Sequence, residues 1–125
     1  MIYTSSKIYI SESKIPGAGR GVFAACTILK GELIERCPVI IFPEKSERHI
    51  NKTFLVKYLF KWKGEAKCCL ALGFGSLYNH SITPNSKTRF SYKNQCIDFK
   101  ATCTIEQGQE ICHDYKWGND PKDIG

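Results

Sequence analysis

The stretch "GFGSLYNHSITPN", Gly73 to Asn85, sets glycines, a tyrosine, Asn79, His80, Ser81 and a Pro-Asn pair side by side. An amide, an imidazole and a hydroxyl on what reads as a loop are too polar for core. A metal at His80 would need a second imidazole or carboxylate at ligand spacing. His49 and His113 lie far away in sequence, so no metal site is indicated. A Ser-His hydrolase is equally poorly supported, because Ser81 adjoins His80 without a nucleophile-elbow context. Capping of the loop by Asn79 is the plain structural alternative to ligand binding.

Two further clusters carry unusual residue types. "PGAGRGVFA", Pro16 to Ala24, places Gly17, Gly19 and Gly21 between one strand and the next. Such glycines serve either close backbone approach to a ligand or turns that need positive φ. No helix follows to receive a pyrophosphate and no Lys-Ser/Thr ending marks a P-loop, so nucleotide fingerprints are excluded and a plain hairpin turn stays open. "GQEICHDY", Gly108 to Tyr115, ends a short strand on a tyrosine, and Trp117 lies two residues on in "KWGND". A tyrosine at a strand end is more often packing than catalysis.

These clusters must be positioned by short strands. In "CIDFKATCTI" Cys96, Asp98, Lys100, Thr102 and Thr104 alternate with Ile97, Phe99, Ala101, Cys103 and Ile105, the period of two of a half-buried strand. "KTRFSY" and the turn "KNQ" predict the other arm of a hairpin, and "EQGQEICHDY" a Gly-containing turn with another strand. "KIYI", "GVFAA" and "GELIERCPVIIF" read as further strands, with Pro38 placing the last on an edge or at a bulge. One helix is predicted around residues 50–62, where Leu55, Tyr58, Leu59 and Trp62 follow helical spacing and Gly64 could end it. The fold class is mainly β, small twisted sheets with one main helix around an irregular centre.

A chain of 125 residues and 14.2 kDa has room for one compact domain, 1–125. No apolar run approaches the ~20 residues that span a bilayer, and "MIYTSSKIYISESK" alternates instead of forming a signal-peptide core. The expectation is an intracellular protein, cytoplasmic or nuclear, not secreted and not in a membrane. The seven cysteines form no CxxC or CxC pair, which predicts reduced, mostly buried thiols with neither a disulfide framework nor zinc. A net charge of +6 and a pI near 9.0 favour polyanionic or acidic partners. Lys45, Arg48, Lys52, Lys57, Lys61 and Lys63 are the densest basic group, read as a solvated face or, alternatively, a nucleic-acid surface.

In their order and separation, the three clusters resemble the SET domain of protein lysine methyltransferases, over roughly residues 3–117. "GAGRGVFA" with "ILKGELIE" is similar to the family's opening motif, "GFGSLYNHSITPN" to its central motif and "EQGQEICHDY" to its closing motif. "VKYLF", Val56 to Phe60, fits the segment that supplies a second active-site tyrosine in the smallest, virus-type members. Nothing resembles the cysteine-rich flanks of larger members, so the likeness is to minimal, zinc-free SET proteins of the β-clip fold with a C-terminal pseudoknot.

The resemblance implies S-adenosyl-L-methionine as cofactor, with S-adenosyl-L-homocysteine as product. It implies a cofactor site of Gly19, Arg20, Gly21, Asn79, His80, Tyr115 and Trp117. The implied catalytic residues are Tyr115 and Tyr58, and the implied lysine channel is Tyr58, His113, Tyr115 and Trp117. Two residues before the closing tyrosine many members carry Phe or Tyr, and this chain has His113. An imidazole there could hold a water and limit the methyls added, point away and leave room for more, or be a tolerated polar residue at a strand edge.

The implied partner is a protein with a target lysine, a histone or nucleosome among the candidates. A basic enzyme needs a locally acidic groove for a basic tail. Glu106, Glu110, Asp114, Asp120 and Asp123 could supply it, or could be scattered solubilising charge. A homodimer covering exposed surface is a further expectation. The alternative function is a noncatalytic SET-like module that binds protein or nucleic acid.

Overall fold

The computed structural model describes residues 5–62 and 67–115. Two sheets share the core. The hairpin β1 (Ile8–Glu12) and β2 (Arg20–Ala24) belongs to a four-stranded sheet with β6 (Asn79–His80) and β9 (Glu110–His113), in the order β1-β2-β9-β6. The other sheet runs β4 (Leu59–Trp62), β5 (Lys67–Ala71), β3 (Leu33–Phe42), β8 (Cys96–Ala101), β7 (Ser86–Ser91) in the order β4-β5-β3-β8-β7. The mainly β expectation and the β7–β8 hairpin are both found. Among the described residues no helix is long and apolar enough to cross a membrane.

β8 keeps the alternation of its sequence, but both of its faces are covered. Ile97 and Phe99 are fully buried, while Cys96 and Asp98 on the other face are buried too. The half-buried expectation fails because β8 lies inside the sheet, flanked by β3 and β7. Asp98 tolerates this through a two-pronged pair with Arg36 on β3, Nε to Oδ1 at 2.8 Å and Nη2 to Oδ2 at 3.0 Å. The strand ends at Ala101, and Ile105 instead forms an isolated bridge with Ile28.

Pro38 is neither on an edge nor at the bulge, which lies between Leu33 and Glu35. It marks the point where β3 changes neighbours, pairing with β8 up to Pro38 and with β5 from Val39. Its carbonyl accepts from Leu72 N at 2.9 Å, so the missing N–H falls where the ladder is already handed over.

The helix expected over 50–62 is replaced by one α-helical turn, α1 (Glu47–Ile50), a 3₁₀ turn Phe54–Tyr58 capped by Thr53, and β4. Tertiary pairing outweighs the helical spacing. Leu59 to Trp62 hydrogen-bond along β5, and Phe60 and Trp62 join the aromatic group of Phe90, Phe99 and Tyr92. Gly64, the expected terminator, lies outside the described residues.

The core gathers Val22, Ile28, Ile34, Ile97, Phe99, Ile105 and Ile111, all without exposed surface, around Tyr78 stacked on Phe99 at 4.1 Å. Each such side chain contributes roughly 1.5–3 kcal/mol by burial. This core presses the edges of both sheets together where the polar motifs emerge.

Candidate active site

The hairpin turn between β1 and β2 closes with Ser13 N donating to Gly19 O at 2.7 Å. Gly17 and Gly19 take φ of +77° and +75°, a region costly for side-chain-bearing residues. Gly21 does something different. A Cβ there would collide with the Glu110 carboxylate and stand 3.0 Å from Asn79 Nδ2. The glycine cluster is therefore both a hairpin turn and a place of close approach.

Asn79 and His80 sit on β6, which runs parallel to β9 and pairs Asn79 with Cys112 and His80 with His113. Asn79 Nδ2 donates to Arg20 O at 2.9 Å and to Glu110 Oε2 at 2.8 Å. Thus the first and second sequence clusters meet through one amide. His80 Nδ1 accepts from Tyr115 N at 3.0 Å, and its ring lies 5.2 Å from the Tyr115 ring. That bond brings the third cluster to the second.

Tyr115 donates its hydroxyl proton to the Tyr78 carbonyl. Burial, with Cys112, Tyr58 and Glu110 nearby, pushes its pKa up to about 12. At neutral pH it is a phenol whose proton points at a carbonyl and whose oxygen keeps acceptor lone pairs. Tyr58, at the end of the 3₁₀ turn, is 36% exposed and meets Phe54 edge-on at 6.3 Å. Trp117 lies outside the described residues.

His113 is 3% exposed, so it is no tolerated residue on a wetted strand edge. Its ring stacks on Phe60 at 5.9 Å and abuts Phe99 and Tyr115 at 5.4 and 4.8 Å. Among the described residues its buried Nε2 has no hydrogen-bond partner. Burial, with His80 nearby, lowers its pKa to about 4, against the backbone and carboxylate of Asp114 acting the other way. The imidazole is neutral at physiological pH.

Three supporting groups escaped the sequence reading. Asn85 stands in for a strand neighbour, accepting from Cys112 N and donating to Glu110 O, both at 2.9 Å. Glu35, buried on β3, accepts from the Tyr78 hydroxyl at 2.8 Å and from Phe74 N at 2.9 Å, which anchors the loop that carries Asn79. Glu110 was grouped with surface acids, yet its carboxylate accepts from Ser13 Oγ, Lys14 N and Asn79 Nδ2. A carboxylate on the strand next to a glycine, a long way on in sequence, is invisible without the register. Of the other acids, Glu106 is exposed, Asp114 lies 3.7 Å from His80 Nδ1, and Asp120 and Asp123 are outside the described residues.

The basic residues Lys45, Arg48, Lys52, Lys57 and Lys61 are all exposed, and Lys63 is not described. Five of the seven thiols are buried, as the sequence predicts, and Cys26 and Cys103 are exposed. Among the described residues no group of three or more His, Cys, Asp or Glu could hold a metal.

The Asn79 side-chain oxygen, with Nδ2 held by Arg20 O and Glu110, and the carbonyls of the glycine turn can accept from an ammonium and an adenine amine, so the residues present fit S-adenosyl-L-methionine.

The SET domain family matches residues 19–116. A histone-lysine N-methyltransferase of Schizosaccharomyces pombe, specific for H3 lysine-37, is 38% identical over 98 residues, which are 78% of this chain and 66% of that relative. A crystal structure from Plasmodium falciparum, described as a candidate histone methyltransferase, superposes with a TM-score of 0.72 at 32% identity, covering 94% of this chain and all of the other. The Polycomb Repressive Complex 2 of Chaetomium thermophilum, bound to S-adenosylmethionine, gives a TM-score of 0.76 at 21% identity over 90% of this chain and 15% of its own, a likeness of fold. The motifs that β2, β6 and β9 bring together are the matched ones, and the chain belongs to the SET domain family.

Proposed function

We propose that this chain is a protein-lysine N-methyltransferase that uses S-adenosyl-L-methionine. The observation that carries the reading is the placement of Tyr115, whose backbone N–H is held by His80 and whose hydroxyl is held by the Tyr78 carbonyl, while the neighbouring Asn79 holds the Arg20 carbonyl of the glycine cluster.

When bound, the cofactor supplies an electrophilic methyl on a sulfonium. That methyl would pass to the lysine nitrogen, with the C–S electron pair left on sulfur as S-adenosyl-L-homocysteine. The protein's task is alignment and a neutral amine. Tyr115 already spends its proton on Tyr78, so its oxygen accepts an N–H from the incoming nitrogen and points the remaining lone pair. With a pKa near 12 it is an orienting group, and water takes the proton. Lysine's ordinary pKa of ~10.4 falls in a channel lined by Tyr58, Tyr115 and the neutral His113, because burial disfavours the ammonium. Gly19, Arg20, Gly21, Asn79 and His80 form the cofactor cradle in this reading. His113 carries a water on its orphan Nε2 and so restricts the number of methyls, since a buried polar atom without a partner is costly.

The Schizosaccharomyces pombe relative acts on histone H3, and a histone lysine is the substrate proposed for this chain. The test is methyl transfer from labelled S-adenosyl-L-methionine to recombinant histones and nucleosomes, with Tyr115→Phe as control. Label on one histone lysine with the native chain, and loss with the variant, supports the reading. Saturable cofactor binding without label on any histone redirects the search to other proteins. No cofactor binding by a folded sample leaves a noncatalytic SET-like module.

A further inference from the structure

We propose that Glu110 is a positioning residue that gives the cofactor cradle its shape, a role that rests on the methyltransferase reading. One carboxylate joins three parts of the chain. Ser13 Oγ donates to Oε1 at 2.8 Å and Oε2 at 2.9 Å, Lys14 N to Oε1 at 3.3 Å, and Asn79 Nδ2 to Oε2 at 2.8 Å. The chain around it is shaped to let it through, because only the missing Cβ of Gly21 leaves room for the side chain. Its own backbone is fixed from behind by Asn85, and by register against Phe23 on β2.

The tie has two consequences. Ser13 passes the restraint on, since its Oγ accepts from Ile15 N at 3.0 Å and its N donates to Gly19 O at 2.7 Å, so the whole glycine turn is held. Asn79 is held in one orientation. Both hydrogens of Nδ2 are committed, one to Arg20 O and one to Glu110, which leaves Oδ1 as the group presented outward. Without Glu110 only the Arg20 carbonyl is left to fix that face.

Glutamine separates this role from mere folding. Glu110→Gln keeps an oxygen for Asn79, and its amide NH2 can donate to the Ser13 hydroxyl, but that NH2 leaves Lys14 N without its acceptor. Glu110→Ala removes every tie, and Gly21→Ala pushes the carboxylate off its seat. The experiment combines cofactor calorimetry on the full chain with backbone amide exchange measured without cofactor. Glu110→Ala is expected to weaken S-adenosyl-L-methionine binding at least tenfold and to speed exchange across residues 13–21 while β3 and β8 stay protected. Glu110→Gln is expected to recover much of both, and Gly21→Ala to resemble Glu110→Ala. In turnover the cofactor KM rises with kcat little changed.

Native-like affinity and native-like exchange in a folded Glu110→Ala overturn the proposal, as does Glu110→Gln behaving no better than Ala. If Glu110→Ala does not fold, Gly21→Ala and Ser13→Ala carry the same comparison. If the native chain itself binds no cofactor, the methyltransferase reading fails, and the exchange arm alone decides whether Glu110 holds the turn.

Discussion

His113 and Tyr115 stand with ring centroids 4.8 Å apart at 49°, one with an Nε2 that no described residue meets with a hydrogen bond and the other with its hydroxyl committed to Tyr78. In the proposed reading this neutral nitrogen beside a polarised phenol handles the substrate amine. It is also a liability for the fold, and the two roles separate experimentally.

Tyr115→Phe removes the acceptor and keeps the ring. Turnover should fall on the order of a hundredfold or more, while stability drops by about 1 kcal/mol for the lost bond to the Tyr78 carbonyl. Initial rates and urea midpoints measured on one preparation check both. A rate within threefold of the native value would remove Tyr115 from the chemistry.

Acid should destabilise the protein through His113. Its imidazole stays neutral in the fold down to about pH 4, whereas in the unfolded chain it protonates near 6.5. Between those values the unfolded state binds the extra proton, so this contribution is complete above pH 6.5 and is lost as pH falls toward 4. The loss is about 3 kcal/mol. Denaturation midpoints from pH 7 to 4 should slope steeply for the native chain and distinctly less for His113→Phe.

The same substitution tests product control. Phe fills the aromatic box without a polar atom and cannot hold a water, so His113→Phe should carry a methylated lysine to a higher methylation state. Intact-mass analysis of the substrate reads this directly, and an unchanged product distribution would assign His113 to packing alone.

Asn85→Ala strands Cys112 N and Glu110 O. The expected cost is about 1–3 kcal/mol, read as a lower urea midpoint at unchanged slope. Because Glu110 loses the clamp behind it, cofactor binding should weaken as well.

Thiol labelling at neutral pH should modify Cys26 and Cys103 first, since both are exposed. The other five are buried, and burial pushes Cys69 up to about 12 and Cys112 up to about 11. Mass spectrometry after brief alkylation should find two modified positions in the native state and seven in denaturant.

The polar clusters were legible in sequence because glycines, Asn-His and a terminal tyrosine are unusual company. Strand β8 is legible from its alternation, and β7 as the hairpin arm that precedes the turn before it. What stayed hidden depends on register. Leu59 and Trp62 sit at helical spacing, and only β5 lying alongside makes them a strand. Pro38 looked like an edge marker, and only the change of neighbours along β3 shows why a central strand accepts it. Glu110 reads as surface charge until β9 is placed next to β2, where it pairs with Phe23 and its side chain lies over Gly21. Pair relations between distant residues, such as Glu35 with Tyr78, leave no periodic trace.

The parallel pairing of β6 with β9 also governs when the site can exist. Glu110 meets a serine 97 residues earlier and an asparagine 31 residues earlier, and β9 must seat between β2 and β6 to do so. Closing contacts over such spans is slow, because the chain entropy is lost before any bond is gained. During synthesis, Asn79 and the glycine turn are both made before the strand that joins them, so competence to bind arrives late and all at once. The cradle is then a late reporter of correct folding, and a chain stalled before β9 has the pieces of the site without the site.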